Sequence, residues 1–403
     1  MKLIGPFAQI LTLDKMALKG PLRDEALEVF YTAGVLVDQG KIVKVSKFNT
    51  LRKEFPKAEL EEITQEAVLL PGFIDCHTHS CFAGTRAMDF AERNAGTSYL
   101  EIAEKGGGIW STVTATRNAS EEVLKSLTEN RVNGFLKNGI TTIEIKSGYG
   151  LSVLEEIRLL KVINQLNTKA RVIPTCLGAH LKPKDFEGSS SEYLTHLQEN
   201  LLKEIKHLTK RIDIFTEKSA FGIEESSRYL LKAKEMGFKI TVHADQFSAG
   251  SAKIAVEVGA VSADHLEASN DSDIKVLGNS DTVAVCLPGA SIGLGEPFAP
   301  ARRLLDAGAC LAIASDYNPG SAPMGDLLAQ ASILAVFQKL NTAEVFSGLT
   351  FRAAKALSIQ DVGKISENYL ADFQAYSTTD YREILYQQGK LKPCFVWKNG
   401  YKI

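Results

Sequence analysis

The chain has 403 residues, with 46 Lys and Arg against 48 Asp and Glu, seven His, six Cys and 45 % hydrophobic residues. A net charge of −2 with no Lys/Arg block excludes a basic field for nucleic acid or for a membrane surface. No run reaches the ~18 apolar residues of a membrane span, and Asp14 and Lys15 interrupt the N-terminus before a signal-type apolar core develops, so a cytoplasmic protein is expected.

Residues 1–66 read as short extended pieces: an alternating LIGPFAQILTL, then ALEVFYTAGVLVDQGKIVKV with Gly-containing turns. The last forty residues have the same texture, and KPCFVWKNGYKI predicts a hairpin about Asn399-Gly400. Both ends are therefore expected to pack as one discontinuous β unit, 1–66 plus 364–403, around a central 67–363.

The central segment holds eight short apolar runs that end in polar residues: AVLLPGFIDCHTH, GITTIEIKSGYG, ARVIPTCLGAH, RIDIFTEK, KITVHADQ, GAVSADHLE, TVAVCLPGA and CLAIASDYN. Amphipathic stretches separate them, such as VLEEIRLLKVINQLN, EYLTHLQENLLKEIKHL and SRYLLKAKEMG. Eight buried strands alternating with helices predict a (β/α)8 barrel, with an open doubly wound sheet as the other architecture the string allows. Both gather ligands at the C-terminal ends of the strands, where the polar residues fall.

His77-Thr78-His79 closes the first run, and residues i and i+2 of a strand face one way, so the two imidazoles can share a metal ion. His180, His243 and His265 also stand at strand ends, whereas His196 and His207 lie in a charged helical segment. Asp316 ends the eighth run. His77, His79, His243 and Asp316 together would give a nitrogen and oxygen set suited to Zn²⁺ or Fe²⁺ and to hydrolysis by an activated water; singly, each His reads as a satisfied core or surface residue. Arg86, on the loop leaving the first strand, is either a surface charge or a clamp for a substrate carboxylate. Ser147 and Ser315 lack a His/Asp partner and read as wall residues. Gly106-Gly107-Gly108 fits no phosphate-loop pattern and reads as a moving loop near the site. The six cysteines are dispersed with no CxxC pair, as in a reduced compartment.

These motifs resemble the amidohydrolase superfamily and, within it, the imidazolonepropionase family of histidine degradation. PGFIDCHTH is shared across the superfamily, while GGGI, EIKSGYGL, CLGAH, TVHADQ and SDYNPGS are more particular, and the resemblance covers nearly the whole chain. It implies a (β/α)8 barrel with a small β-sandwich from both chain ends and one Zn²⁺ or Fe ion per chain, held by His77, His79, His243 and Asp316. It further implies substrate contacts from Arg86, Tyr149, His180, Gln246, Asn318, Gly320 and Ser321, with Tyr99 as a further candidate. Asp316 and His265 would be the catalytic pair, and the reaction would open 4-imidazolone-5-propanoate to N-formimidoyl-L-glutamate by attack of a metal-bound hydroxide. The resemblance implies a small-molecule substrate as partner and admits a homodimer.

Two residues depart from the pattern: Cys76 between Asp75 and His77, and Gln246 where some members carry Glu. A deaminase of an amino-heterocycle would need that Glu to shuttle protons, and an amide cannot do so. A non-catalytic barrel scaffold is the remaining alternative; the complete ligand set speaks against it.

Overall fold

The computed structural model describes residues 1–97, 101 and 106–403. Both chain ends build one eight-stranded sheet: β1 (Lys2–Leu11), β2 (Val29–Asp38), β3 (Lys41–Lys47), β4 (Glu59–Glu62) and β5 (Val68–Pro71) from the N-terminal side, and, after eight central strands, β14 (Phe373–Tyr376), β15 (Pro393–Lys398) and β16 (Tyr401–Lys402). β5 knits the two ends, running parallel to β1 and antiparallel to β14. The sheet doubles over its own core of Ile4, Phe7, Ile10, Val35, Phe373 and Trp397. Trp397 of β15 reaches across to β4, donating from Nε1 to Glu61 Oε1 at 2.8 Å, while its ring packs edge-on against Phe7. The predicted hairpin is present: β15 pairs antiparallel with β16, and Asn399 and Gly400 both take the positive φ that a tight two-residue turn requires.

The eight central strands are β6 (Phe73–Asp75), β7 (Ile140–Lys146), β8 (Arg171–Ala179), β9 (Arg211–Ile214), β10 (Lys239–Ala244), β11 (Ser262–His265), β12 (Val283–Cys286) and β13 (Leu311–Ile313). They form one parallel sheet in sequence order, each a run the apolar pattern predicts. The sheet closes beyond the ends of β6 and β13: Asp316 N–H donates to His77 C=O at 3.1 Å, and His79 N–H to Tyr317 C=O at 2.8 Å. This rules out the open sheet, because an open sheet leaves its first and last strands apart.

Two predicted elements differ in detail. The run AVLLPGFIDCHTH is two strands, since Pro71 has no N–H to continue a ladder and Gly72 turns the chain from the outer sheet into the barrel. A Cβ on Gly72 would sit 2.3 Å from Thr141 Oγ1, so glycine alone permits this approach. The helix expected over 192–208 stops after Ser190–Asn200, and a single 3-10 turn, Glu204–His207, follows. Leu201, Leu202 and Ile205 are all fully buried, and the break turns the adjacent leucines inward together. His196 and His207 are exposed, as read from their charged surroundings. Among the described residues no helix is long and apolar enough to cross a membrane.

Candidate active site

The C-terminal rim of the barrel carries the chemistry. His77 and His79 leave β6, His180 follows β8, His243 is the penultimate residue of β10, His265 ends β11 and Asp316 follows β13. Strand alternation turns His77 and His79 inward. Thr78 points the other way, its Oγ1 donating to Glu144 C=O at 2.7 Å. The same alternation sends Cys76 outward into a cluster with Ile74, Val285 and Ala353, where burial pushes its thiol well up, so it does not face the imidazoles.

Asp316 Oδ1 lies 3.4 Å from both His77 Nε2 and His79 Nε2, and His79 Nε2 lies 3.3 Å from His243 Nε2. Donors on one tetrahedral ion at about 2.0–2.1 Å stand about 3.3–3.4 Å apart, so these three spacings fit. Carboxylates on the far sides of the rings select the donor atoms. Asp264 Oδ2 holds His77 Nδ1 at 2.6 Å and the Asp213 carboxylate lies 2.9 Å from His243 Nδ1, which leaves His77 Nε2 facing Asp316 Oδ1 and His243 Nε2 facing His79 Nε2. Such a buried convergence of lone pairs and negative charge is satisfied by a cation.

Electrostatics agrees. Burial pulls His79 and His243 down to about 3 and His180 to about 4, leaving neutral imidazoles. Burial and the Lys146 charge also oppose protonation of His77, but its hydrogen bonds to Asp264 and Asp316 outweigh them and raise it to about 9, so without an ion this ring takes the positive charge the carboxylates demand. Asp316 stays well below the usual carboxylate range despite burial, because His77 and His79 bond it. The residues present therefore fit one divalent cation.

Backbone strain marks the same positions: Asp316 and His265 have φ of 53° and 83°, a region that non-glycine residues seldom occupy and that clusters at functional sites. Asn318 Nδ2 holds Asp316 by donating to its backbone oxygen at 2.7 Å and to Oδ2 at 3.0 Å; Asn318 Oδ1 accepts the N–H groups of Gly320 and Ser321, each at 2.8 Å. The SDYNPGS segment thus folds around its own aspartate. His265 Nδ1 is 3.4 Å from the Glu267 carboxylate, and the His265 ring centroid is 5.3 Å from that of His243.

A cavity of about 600 Å³ opens above these groups, lined by His79, His243, His265 and Asp316 and by seven residues expected to contact substrate: Arg86, Tyr149, His180, Gln246, Asn318, Gly320 and Ser321. His77 lies beneath its floor, fully buried. Tyr149 is placed by the KSGYGL loop, which wraps the buried Glu156 carboxylate through the N–H groups of Gly148, Gly150 and Leu151 at 2.8–2.9 Å. His180 Nδ1–H donates to Gly148 C=O at 2.9 Å, and its ring stacks on His79 at 5.4 Å. Arg86 pairs with Asp89 through Nε, and Gly320 leaves it room, since a Cβ there would lie 3.1 Å from Arg86 Nη1. Gly108 N–H donates to the same Asp89 carboxylate at 2.8 Å, tying the triple-glycine loop to the arginine. Tyr99 lies outside the described residues.

Ser147 and Ser315 are buried and accept backbone N–H groups from Leu177 and Tyr317, each at 3.1 Å, as wall residues do. Sequence reading missed four groups. Lys146 Nζ, fully buried, lies 2.8 Å from both Glu144 Oε1 and Asp213 Oδ2, and Asp213 and Asp264 are the orienting partners described above. Arg93 lines the cavity mouth. The first three show as charged residues inside apolar strands, EIK, RIDIF and SADH; Arg93 stands seven residues after Arg86, on the same face of a helix.

The amidohydrolase family model matches residues 68–402. The imidazolonepropionase of Bdellovibrio bacteriovorus is 38 % identical over 409 aligned positions, covering 100 % of this chain and 96 % of that protein. That of Kosmotoga olearia is 40 % identical, covering 93 % and 91 %. Among solved structures, zinc-bound adenosine deaminase from Xanthomonas campestris superposes with a TM-score of 0.71 at 19 % identity, covering 99 % of this chain and 92 % of that one. A mutant of atrazine chlorohydrolase TrzN from Arthrobacter aurescens, complexed with zinc and atraton, gives 0.71 at 16 % identity, covering 100 % and 95 %. These two likenesses speak for the fold, and the full-length identities for the closer kinship. The chain belongs to the amidohydrolase family and, within it, to the imidazolonepropionases.

Proposed function

We propose that this chain hydrolyses the ring amide of 4-imidazolone-5-propanoate to N-formimidoyl-L-glutamate, a step of histidine degradation. The observation that carries the reading is one cavity that brings together a buried His/Asp cluster, the imidazole of His180, the phenol of Tyr149 and the guanidinium of Arg86. A planar heterocycle with an anionic tail matches that set. His77, His79, His243 and Asp316 would hold Zn²⁺ or Fe, and an ion bound there polarises the ring carbonyl and lowers the pKa of water. Asp316 accepts the proton of the attacking water and, with His265, returns it to the departing ring nitrogen. Tyr149 and His180 hold the ring against the floor, Arg86 takes the propanoate, and Gln246, Asn318, Gly320 and Ser321 close the sides. A fixed tail raises the effective concentration of the carbonyl at the attacking water. Gln246 supports ring opening over deamination, since its amide can hydrogen-bond but not carry a proton.

The test is turnover of freshly generated 4-imidazolone-5-propanoate, followed by loss of its ultraviolet absorbance, with native protein and with chelator-stripped protein restored by Zn²⁺ or Fe²⁺. Turnover that disappears on stripping and returns with metal is expected. A fully metallated protein that leaves the compound intact would discard this substrate. Arg86→Ala is expected to raise KM by roughly tenfold or more with a smaller change in kcat, because a charge-assisted clamp on a remote carboxylate acts mainly in binding. Unchanged kinetics would remove Arg86 from that role.

A further inference from the structure

Arg86 is not the only cation at the cavity mouth. It caps the N-terminus of the helix Ala87–Asn94, and Arg93 lies in the last turn of that helix, seven residues on. Seven residues are close to two turns, a rise of about 10.5 Å, so both side chains project from one face. Both line the cavity. Asp89 sits between them on the same face and is engaged with Arg86 and with Gly108 N–H. Arg93 is fastened across the mouth instead, its Nη2 donating to Gly293 C=O at 2.9 Å, just before the end of the helix Pro288–Leu294. Burial and the nearby Arg86 charge both disfavour the cation on Arg93, and Asp89 only partly offsets them. The helix face therefore presents two guanidiniums and one carboxylate to the cavity, a surplus of one positive charge. Glu296, also on the lining, is exposed to water, which screens it.

We infer that Arg93 is a second specificity-determining cation for the substrate's anionic tail: it draws the carboxylate into the mouth and, with Arg86, favours it over counterparts whose tail is uncharged. This rests on the ring-opening reading given above and extends it to a residue that does not touch the reacting carbonyl. The Gly293 hydrogen bond offers a purely structural role for the same side chain, so the test must separate charge from tether.

Arg93→Gln keeps an N–H donor for Gly293 and loses the charge; Arg93→Lys keeps the charge. Both are assayed on 4-imidazolone-5-propanoate and on its propanamide counterpart, at low and high salt. For Arg93→Gln, KM for the propanoate is expected to rise roughly tenfold with kcat nearly unchanged, its salt dependence to flatten, and its kinetics on the propanamide to match the parent enzyme. Arg93→Lys should retain most of the preference for the anionic tail. If Arg93→Gln kept the parent preference and salt dependence, or weakened both substrates equally, the inference would fall. A parent enzyme that turns over neither compound while fully metallated would instead overturn the ring-opening reading.

Discussion

His243→Ala is expected to abolish both activity and metal retention in one substitution. His243 Nε2 stands 3.3 Å from His79 Nε2, and its Nδ1 is held by Asp213, so the ring supplies a donor already oriented in the right tautomer. Removing it leaves three donors and a gap on the floor of the cavity. Loss of an orienting partner costs about 10–100-fold in metal affinity, and loss of a donor should exceed that, with kcat down by more than about 100-fold. Elemental analysis of the purified variant beside its turnover checks this. A variant that kept the parent's metal content would take His243 out of the ligand set, even if its activity were gone.

The second large effect is expected at Lys146, which touches neither the cavity nor the substrate. Its ammonium lies fully buried between Glu144 and Asp213, at 2.8 Å from each, and both carboxylates are themselves fully buried. Lys146→Met keeps the length of the side chain but strands two carboxylates in the barrel interior. Breaking a buried ion pair by removing one partner costs about 3–5 kcal/mol, a large part of the stability of an ordinary domain. Asp213 also orients His243, so metal affinity should fall about 10–100-fold in the molecules that fold. Denaturant midpoints and chelator competition read the two effects separately. An unchanged midpoint would show that the carboxylates find another cation or water.

Much of this site was legible along the chain because the strand period does part of the geometry. His77 and His79 face one way by alternation alone, and His243, His265 and Asp316 each close an apolar run where a barrel opens its active face. The supporting shell was not legible. Asp264 meets His77 from 187 residues away, and no local pattern announces that pairing. Within β7, β9 and β11, Lys146, Asp213 and Asp264 read only as interruptions of apolar runs, and their meaning depends on which strands become neighbours in the barrel. The double use of Asn318 was hidden for a related reason. As part of SDYNPGS it suggests a contact to substrate, whereas its amide also holds Asp316 at the strained backbone.

By itself the sequence determined the eight strands, the β character of both ends, the terminal hairpin and the residue types of a nitrogen and oxygen cation site. Those follow from periodicity, turn chemistry and side-chain identity, which act over a few residues. Tertiary structure alone decided that the sheet closes on itself, that Gly72 divides one apolar run between two sheets, and which imidazole nitrogen faces inward. It also set the two arginines on one face of the mouth. Each of these depends on a hydrogen bond, an ion pair or a close approach between segments far apart in the chain, and such contacts exist only once the whole barrel has brought them together.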